Sequence, residues 1–190
     1  RHYVQALYHL TRTLDPTRPV IGNDGWESVA TDIVGIHDYD DQLGRIARRY
    51  GTDESLPRLF RRERPGGRML VLGTDPQAHA NHPVMLTEFG GIAYSPRDGT
   101  WGYSRAGTAA GFADRYARLL AVVRSMPVLA GFCYTQFADT YQEANGLLFA
   151  DRRPKFPIED IARATRGARG GEPAVRVDPL EAVGLVDATE

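Results

Sequence analysis

Side chains that could do chemistry follow four apolar runs of the 190-residue chain. The run Pro83–Thr87 leads directly into Glu88, and a carboxylate held on a rigid strand end can act as a nucleophile or as a general acid or base. The other three runs are followed by Asn23, Asp24 and Trp26, by His37, Asp38 and Tyr39, and by Tyr134 and Gln136. We therefore expect a site built from strand ends, with Glu88 as its candidate reactive group.

The elements that position these residues can be predicted from the spacing of apolar side chains. Helices are predicted around Tyr3–Leu14, Leu43–Tyr50, Phe112–Val123 and Ile158–Ala162, strands over 19–23, 32–36, 83–87 and 128–134, and a separate short strand over 69–72. Buried strands that alternate with helices are typical of a parallel α/β sheet, whose carboxyl edge carries the site. Four such strands form either a small open sheet or half of a (β/α)8 TIM barrel. The half-barrel is favoured, because the chain has no GxGxxG or Walker-type loop.

Composition narrows the range of partners. The formal net charge is −1, from 23 Lys and Arg against 24 Asp and Glu, which gives no electrostatic reason to expect nucleic acid or an anionic membrane. No apolar run reaches the roughly 18 residues of a membrane span, and a neutral or small polar substrate fits better. The single cysteine, Cys133, cannot form an internal disulfide and is expected in the core. The cellular location stays undecided, with the cytoplasm favoured.

Two segments are expected to lie outside the regular layers. Residues 52–68 read as a long loop or loose helix whose arginines face solvent: Arg58, Arg61, Arg62, Arg64 and Arg68. Residues 167–190 have little periodicity and are expected to be mobile or extended. The chain is thus divided into one domain over 1–166 and a tail over 167–190.

Four strings of the sequence, taken in order, carry a family resemblance: RPVIGNDGWE, DIVGIHDYD, PVMLTEFGG and GFCYTQFADTYQEANGLLFADRRPK. Over roughly residues 1–165 the chain resembles the C-terminal half of the catalytic barrel of glycoside hydrolase family 2, the β-galactosidase and β-glucuronidase relatives. The resemblance implies a retaining β-glycosidase, of which this chain holds helix 4 and strands five to eight. It also implies that Glu88 is the nucleophile and that the Tyr39 phenol orients it by a hydrogen bond.

The family's acid/base has no counterpart in these residues. In the family it is the Glu of an Asn-Glu pair after the fourth strand, whereas Asn23, Asn81 and Asn145 are not followed by Glu. A retaining glycosidase needs this second carboxyl group about 5 Å from the nucleophile. We therefore expect a fragment that carries the nucleophile, lacks the acid/base and is not an efficient glycosidase alone.

Each remaining candidate has a binding and a structural interpretation. In the binding interpretation, sugar hydroxyls or rings contact His37, Asp38, Asn23, Asp24 and Trp26, the floor of the sugar subsite is Tyr134 and Gln136, and Trp101 lines the aglycone side. In the structural interpretation the polar residues form turns and satisfied rim contacts, Tyr39 is a lid over the barrel rim, and Trp101 anchors its loop. No cofactor is expected, nor a metal site built from His37, Asp38, Asp40 and Asp41.

Two classes of function are compatible with these residues. The chain is either part of a β-glycosidase or a non-catalytic half-barrel, which would be a self-associating scaffold or a carbohydrate-binding remnant. An open half-barrel exposes two strand edges and an apolar interior, which is costly. We therefore expect the chain to form a homo-oligomer or to pair with the missing N-terminal half-barrel. The sequence does not decide which sugar or aglycone is bound.

Overall fold

A computed structural model describes residues 1–52, 54–60, 67–72 and 81–167 of the protein. The predictions for Arg61, Arg62, Arg64 and residues 168–190 lie outside the described residues. The helices are α1 (His2–Leu14), α2 (Leu43–Tyr50), α3 (Ser55–Leu59), α4 (Ala109–Ser125) and α5 (Ile158–Arg166). The strands are β1 (Val34–Asp38), β2 (Val84–Gly90), β3 (Ile92–Ala93), β4 (Ser104–Arg105) and β5 (Leu129–Thr135).

The four predicted helices and three of the four predicted strands are confirmed. α4 shows why the spacing was informative. Its buried side chains recur every three or four residues, from Phe112 to Val123, and the Thr108 hydroxyl caps its first turn by accepting from the Gly111 N–H at 3.0 Å. The strand predicted to end at Thr87 continues through Glu88 to Gly90.

The strand predicted over 19–23 is absent from these residues, all of which are described. The backbone of Val20 instead bonds to Asp32 twice, through its N–H to the Asp32 carboxylate and through its carbonyl to the Asp32 N–H, both at 2.8 Å. Gly22 lies so close to this turn that a Cβ there would collide with the Ala30 carbonyl oxygen. The segment therefore folds back on residues 28–32 as a loop.

The main sheet has three strands in the described part of the chain, in the order β1-β2-β5. The fold is α/β with parallel strands in its sheets, and a second sheet pairs β3 with β4, placing Ile92 opposite Ser104. The predicted short strand over 69–72 is reduced to a single parallel bridge between Val71 and Ser28, outside both sheets.

The chain divides into two compact units. Unit 1 comprises Arg1–Asp38, Arg48–Glu88 and Pro127–Cys133, and unit 2 comprises Tyr39–Ala47, Phe89–Met126 and Tyr134–Glu190. The core of unit 1 contains Val34, Ile36, Tyr50, Leu59, Leu70, Val84 and Leu86. The core of unit 2 contains Phe89, Ile92, Phe112, Tyr116, Leu119, Leu120, Val123 and Phe156. Burial of these side chains is the main stabilising term in each unit.

Helix α1 presents its apolar stripe to solvent. Tyr3, Leu7, Leu10 and Leu14 lie on one side of the helix and are 44–77% exposed. On the opposite side, Tyr8 and Arg12 contact the Asp32 carboxylate at 2.7 and 3.3 Å. The Tyr8 hydrogen bond is the main cause that lowers the pKa of Asp32. The helix is thus attached to unit 1 through polar groups, and its apolar stripe has room for a partner.

The prediction that Cys133 belongs to the core is wrong, because its side chain is exposed. Cys133 lies on β5, the last strand in the sheet order, and the same strand also exposes Ala130. Among the described residues, no helix is both long and apolar enough to cross a membrane.

A buried ion pair braces unit 2. Lys155 donates to the Asp139 carboxylate at 2.7 Å and to the Ala144 carbonyl at 2.6 Å, and its side chain is fully enclosed. Its ammonium also lies 5.7 Å from the ring centroid of Phe112 and 5.4 Å from that of Phe149. Desolvation lowers the pKa of Lys155, and the hydrogen bond to Asp139 opposes that shift.

Replacing Lys155 by alanine is expected to lower the free energy of unfolding by about 3–5 kcal/mol, because it leaves the Asp139 carboxylate enclosed without its cation. Denaturant unfolding followed by circular dichroism measures the change. Arg153→Ala removes the exposed Arg153–Asp151 pair and is the matched control, with little effect expected. Equal effects of the two substitutions would contradict a bracing role for Lys155.

Candidate active site

Glu88 extends from β2 in unit 1 and is accessible. Its side chain is 39% exposed, and its Oε2 lies 3.2 Å from Nδ1 of His37 on the neighbouring strand β1. An accessible carboxylate on a strand of the main sheet combines a fixed position with access for a substrate. These are the properties that a nucleophile or a general base needs.

His37 connects Glu88 to a second carboxylate. Its other ring nitrogen, Nε2, lies 3.0 Å from Oδ2 of Asp24. The remaining oxygen of Asp24, Oδ1, accepts a hydrogen bond of 2.5 Å from the Thr87 hydroxyl. The imidazole itself is only 14% exposed, whereas Asp24 is 44% exposed. The result is a hydrogen-bonded chain that runs from Thr87 through Asp24 and His37 to Glu88.

Two glycines make room for this chain. A Cβ on Gly25, whose φ is +85°, would lie 2.6–2.7 Å from ring atoms of His37. A Cβ on Gly35 would overlap Oδ1 of Asp24 and lie 2.9 Å from the Thr87 hydroxyl. Side chains at either position would therefore collide with groups of the chain. The glycines explain how three polar side chains pack so closely beside the sheet.

Trp26 and Asn23 flank the chain in different ways. The Trp26 ring meets the His37 ring edge-on at 5.1 Å, and the guanidinium of Arg68 lies 5.1 Å from the Trp26 ring centroid. The Asn23 side-chain amide donates to the Trp26 carbonyl at 2.5 Å. Asn23 thus closes the turn that carries Trp26.

Asp38 is directed into the core of unit 1 rather than toward solvent. Its side chain is 1% exposed, and its Oδ2 accepts from Arg49 at 2.6 Å and from the Tyr50 hydroxyl at 2.7 Å. Burial raises the pKa of Tyr50 well above its ordinary value, and the charge of Asp38 adds to that shift. The contacts favour a structural role for Asp38, and its predicted contact with a sugar has no support in them.

In unit 2, Tyr39 and Trp101 meet through a third aromatic residue. The Tyr39 and Tyr103 rings stack at a centroid distance of 3.5 Å, and the Trp101 ring meets Tyr103 edge-on at 5.9 Å. Gly91 lies against both tyrosines, because a Cβ there would stand 2.5 Å from Tyr103 and 2.9 Å from Tyr39. Trp101 and Tyr103 are about half exposed. Together they form a partly exposed aromatic surface.

Tyr134 and Gln136 are engaged in the framework of unit 2. The Tyr134 hydroxyl accepts from the Ile92 N–H at 3.2 Å, its ring lies against Gly90, and burial raises its pKa. Gln136 pairs through its backbone with Asn145 and Leu147. Its side-chain amide donates to the Glu143 carbonyl at 3.5 Å, which is a longer hydrogen bond than the 3.2 Å bond of the Tyr134 hydroxyl.

The structure thus brings Asp24, Trp26, His37 and Glu88 together in unit 1, and Tyr39 with Trp101 in unit 2. The contact between Tyr39 and Glu88 stays a prediction. Sequence reasoning missed Thr87 and Tyr103. Thr87 carries no signal of its own, but Tyr103 follows Trp101 by two residues in the loop after the candidate nucleophile, and the pair could have been noticed there.

The ligand atoms of Asp24, His37 and Glu88 lie within 4.8 Å of one another, close enough to hold a cation. The two carboxylates, however, lie beside opposite nitrogens of the same ring. A metal ion bound to one nitrogen would therefore lie beside only one of the carboxylates. The geometry is therefore that of a hydrogen-bonded chain. The metal site considered from the sequence consisted of His37, Asp38, Asp40 and Asp41. Only His37 of that set belongs to this cluster.

Comparison with known proteins gives a structural likeness. No protein-family model matches the chain, and no curated protein does. Among solved structures, a β-glucuronidase of Bifidobacterium dentium is 24% identical with a TM-score of 0.52, over 88% of this chain and 27% of that one. A β-glucuronidase of Faecalibacterium prausnitzii is 25% identical with a TM-score of 0.52, over 90% and 29%. A GH2 β-galacturonidase of Eisenbergiella tayi is 17% identical with a TM-score of 0.52, over 87% and 30%.

The chain therefore has a fold like that of a segment of these GH2 glycoside hydrolases, and it spans less than a third of their length. The likeness covers most of the chain. It agrees with the resemblance drawn from the four sequence strings at the level of the fold.

Gly35→Ala is expected to lower the free energy of unfolding by about 1–3 kcal/mol, because the added methyl group displaces the Asp24 carboxylate from its place beside Thr87. Gly107→Ala is the matched control, since a Cβ there meets nothing within 4 Å, and that change should be neutral or stabilising. Denaturant unfolding of the two variants measures the difference. If the two variants unfold alike, the close packing around Asp24 is not a constraint.

Proposed function

We propose that this chain is the nucleophile-carrying half of the catalytic barrel of a retaining β-glycosidase. In this proposal β1, β2 and β5 are strands of the C-terminal half of a (β/α)8 barrel, and Glu88 attacks the anomeric carbon. The observation that carries the proposal is Glu88 itself, an accessible carboxylate on a strand of the main sheet, bonded to a histidine. The fold likeness to β-glucuronidases supports the same reaction class.

The reaction proceeds in two displacements. In the first, an oxygen of Glu88 bonds to the anomeric carbon, the bond to the leaving oxygen breaks, and an acid protonates that oxygen. In the second, water bonds to the anomeric carbon, the bond to Glu88 breaks, and the carboxylate is restored. No cofactor takes part, so the demands on the protein are two carboxyl groups at fixed positions.

Asp24 does not serve as the second of these groups. Its ligand atom lies within 4.8 Å of that of Glu88, near the roughly 5 Å that separates the carboxyl groups of retaining enzymes. Both of its oxygens, however, accept hydrogen bonds, one from His37 and one from Thr87. A carboxyl group with both oxygens held in this way is not positioned to protonate a leaving group. The acid/base is therefore assigned to the other half of the barrel.

The aromatic residues of unit 2 suit the remaining tasks. Tyr39 is clamped by the Tyr103 ring and by Gly91, as a residue that orients the nucleophile must be. The half-exposed surface of Trp101 and Tyr103 suits a ring of the substrate on the aglycone side. Carbohydrate is the proposed partner class, and the identity of the sugar depends on loops of both halves.

A second candidate function rests on the exposed stripe of α1. One side of α1 contacts Asp32, and the other side exposes Leu7 and Leu10. An apolar stripe exposed in this way is expected to be covered by another surface. In the glycosidase the cover is the other half of the barrel. In the alternative, a non-catalytic scaffold, the cover is a second copy of this chain.

An activated 2-fluoro-glycoside is expected to label Glu88 in a protein that joins this chain to its N-terminal half-barrel. The fluorine slows the second displacement, so the glycosyl-enzyme accumulates, and intact mass with peptide mapping locates it. Glu88→Gln should remove the label and lower kcat by about 10³-fold or more. Glu159→Gln on the exposed face of α5 is the control and should retain both.

Labelling of the 190-residue chain alone is expected to be weak, because the loops that complete the sugar site belong to the other half of the barrel. A folded complete protein that gives no adduct with any sugar, and no hydrolysis of aryl glycosides, would leave Glu88 a structural acid and favour the scaffold.

The isolated chain is expected to self-associate through α1. Leu7→Glu combined with Leu10→Glu places charges in the apolar stripe and should shift the protein toward the monomer in light scattering after size exclusion. Ile158→Glu changes another exposed apolar side chain, on α5, and is the matched control. A monomeric wild type would contradict self-association. Association that the double substitution leaves unchanged would show that α1 does not form the interface.

A further inference from the structure

We propose that His37 is a positioning residue for Glu88, and that it donates a hydrogen bond from each ring nitrogen, to Asp24 on one side and to Glu88 on the other. The inference deepens the proposed function and rests on it for its catalytic meaning. The chain of contacts itself is independent of that function, and it involves only residues of unit 1.

The two contacts of His37 need two protons in all. This number favours a ring that carries a proton on each nitrogen. The contacts of 3.0 Å to Asp24 and 3.2 Å to Glu88 each need one proton to be hydrogen bonds. Carboxylates accept and do not donate, so two ionised carboxylates require both protons to belong to the ring. The chain then carries one positive and two negative charges. In that state Glu88 keeps its lone pairs for attack.

The histidine ring is held rigidly. The imidazole is 14% exposed, with Gly25 against its face and the Trp26 ring at its edge. Asp24 is fixed in turn by Thr87, the residue that precedes Glu88 on β2. The loop that carries Asp24 and the two strands that carry His37 and Glu88 are therefore linked by side-chain hydrogen bonds. A ring held in this way restricts the Glu88 carboxylate to one orientation.

A histidine that donates to the nucleophile affects the two displacements unequally. When Glu88 attacks, its negative charge is lost into the ester, and the hydrogen bond from His37 weakens. When water displaces Glu88, the electron pair of the breaking C–O bond returns to the carboxylate, and the N–H of His37 stabilises it. His37 therefore assists the second displacement more than the first. Its removal should make the glycosyl-enzyme accumulate.

The chain of contacts can be tested on the 190-residue protein by NMR of 15N-labelled histidine, below the ordinary titration range of the imidazole. Two slowly exchanging ring N–H signals are expected for His37, because both protons are held by carboxylates. His9, exposed on α1, is the internal control and should exchange rapidly with water. Rapid exchange at both nitrogens of His37 in the wild type would overturn the proposal without any variant.

Variants assign each signal to its partner. Glu88→Ala should abolish protection of Nδ1–H alone, and Asp24→Ala that of Nε2–H alone. Glu88→Gln and Asp24→Asn, which keep an acceptor oxygen, should restore part of the protection. Loss of both signals together in a folded Glu88→Ala variant would contradict separate partners.

The catalytic meaning is tested in the complete enzyme with His37→Gln. We expect kcat and KM to fall together, by about 10-fold or more, with a burst of released aglycone. An unchanged KM and no burst would contradict a role in the second displacement. If no 2-fluoro-glycoside labels Glu88 while the two protected N–H signals persist, the glycosidase proposal fails and the His37 contacts stand.

Discussion

The pairing of β1 with β2 in the main sheet is the constraint on which the candidate site depends. The Val34 N–H bonds to the Pro83 carbonyl at 2.9 Å and fixes the register at the beginning of both strands. Three residues after Val34 comes His37, and five after Pro83 comes Glu88. Both residues therefore lie near the carboxyl ends of the paired strands, where Nδ1 of His37 and Oε2 of Glu88 come within 3.2 Å of each other.

The loop before β1 supplies a further residue of the candidate site, Asp24. Asp24 comes from a segment without regular structure, and it reaches His37 because Gly25 and Gly35 leave the space that side chains would occupy. The loop is held by the two Val20–Asp32 bonds, and α1 is attached through the same Asp32 carboxylate. Polar contacts thus hold this irregular segment in one conformation. This explains how 19–23 can position a site residue without forming the predicted strand.

Local patterns in the sequence predicted much of the fold. The periodicity of α4 and the apolar runs of β1, β2 and β5 gave elements within a few residues of the observed bounds, because burial of one face imposes those patterns. The position of Glu88 at the end of such a run was likewise visible. The exposure of Cys133 was not, since a strand at the end of the sheet order has the same composition as a central one. Asp38 and His37 are adjacent in sequence, yet one faces the core and the other the site, as alternation along a strand requires.

The contacts that define the candidate site link residues far apart in the chain, and no local pattern encodes them. Thr87 and Asp24 are separated by 63 positions, and their hydrogen bond exists only once the loop is packed beside the sheet. The same bond decides how the carboxylates divide their roles. Asp24, with both oxygens in hydrogen bonds, anchors His37, and His37 in turn contacts Glu88. In the proposed function, Glu88 attacks carbon and Asp24 holds the histidine that positions Glu88. In the proposed glycosidase the acid therefore comes from another segment, and the exposed apolar stripe of α1 is a surface against which such a segment can pack.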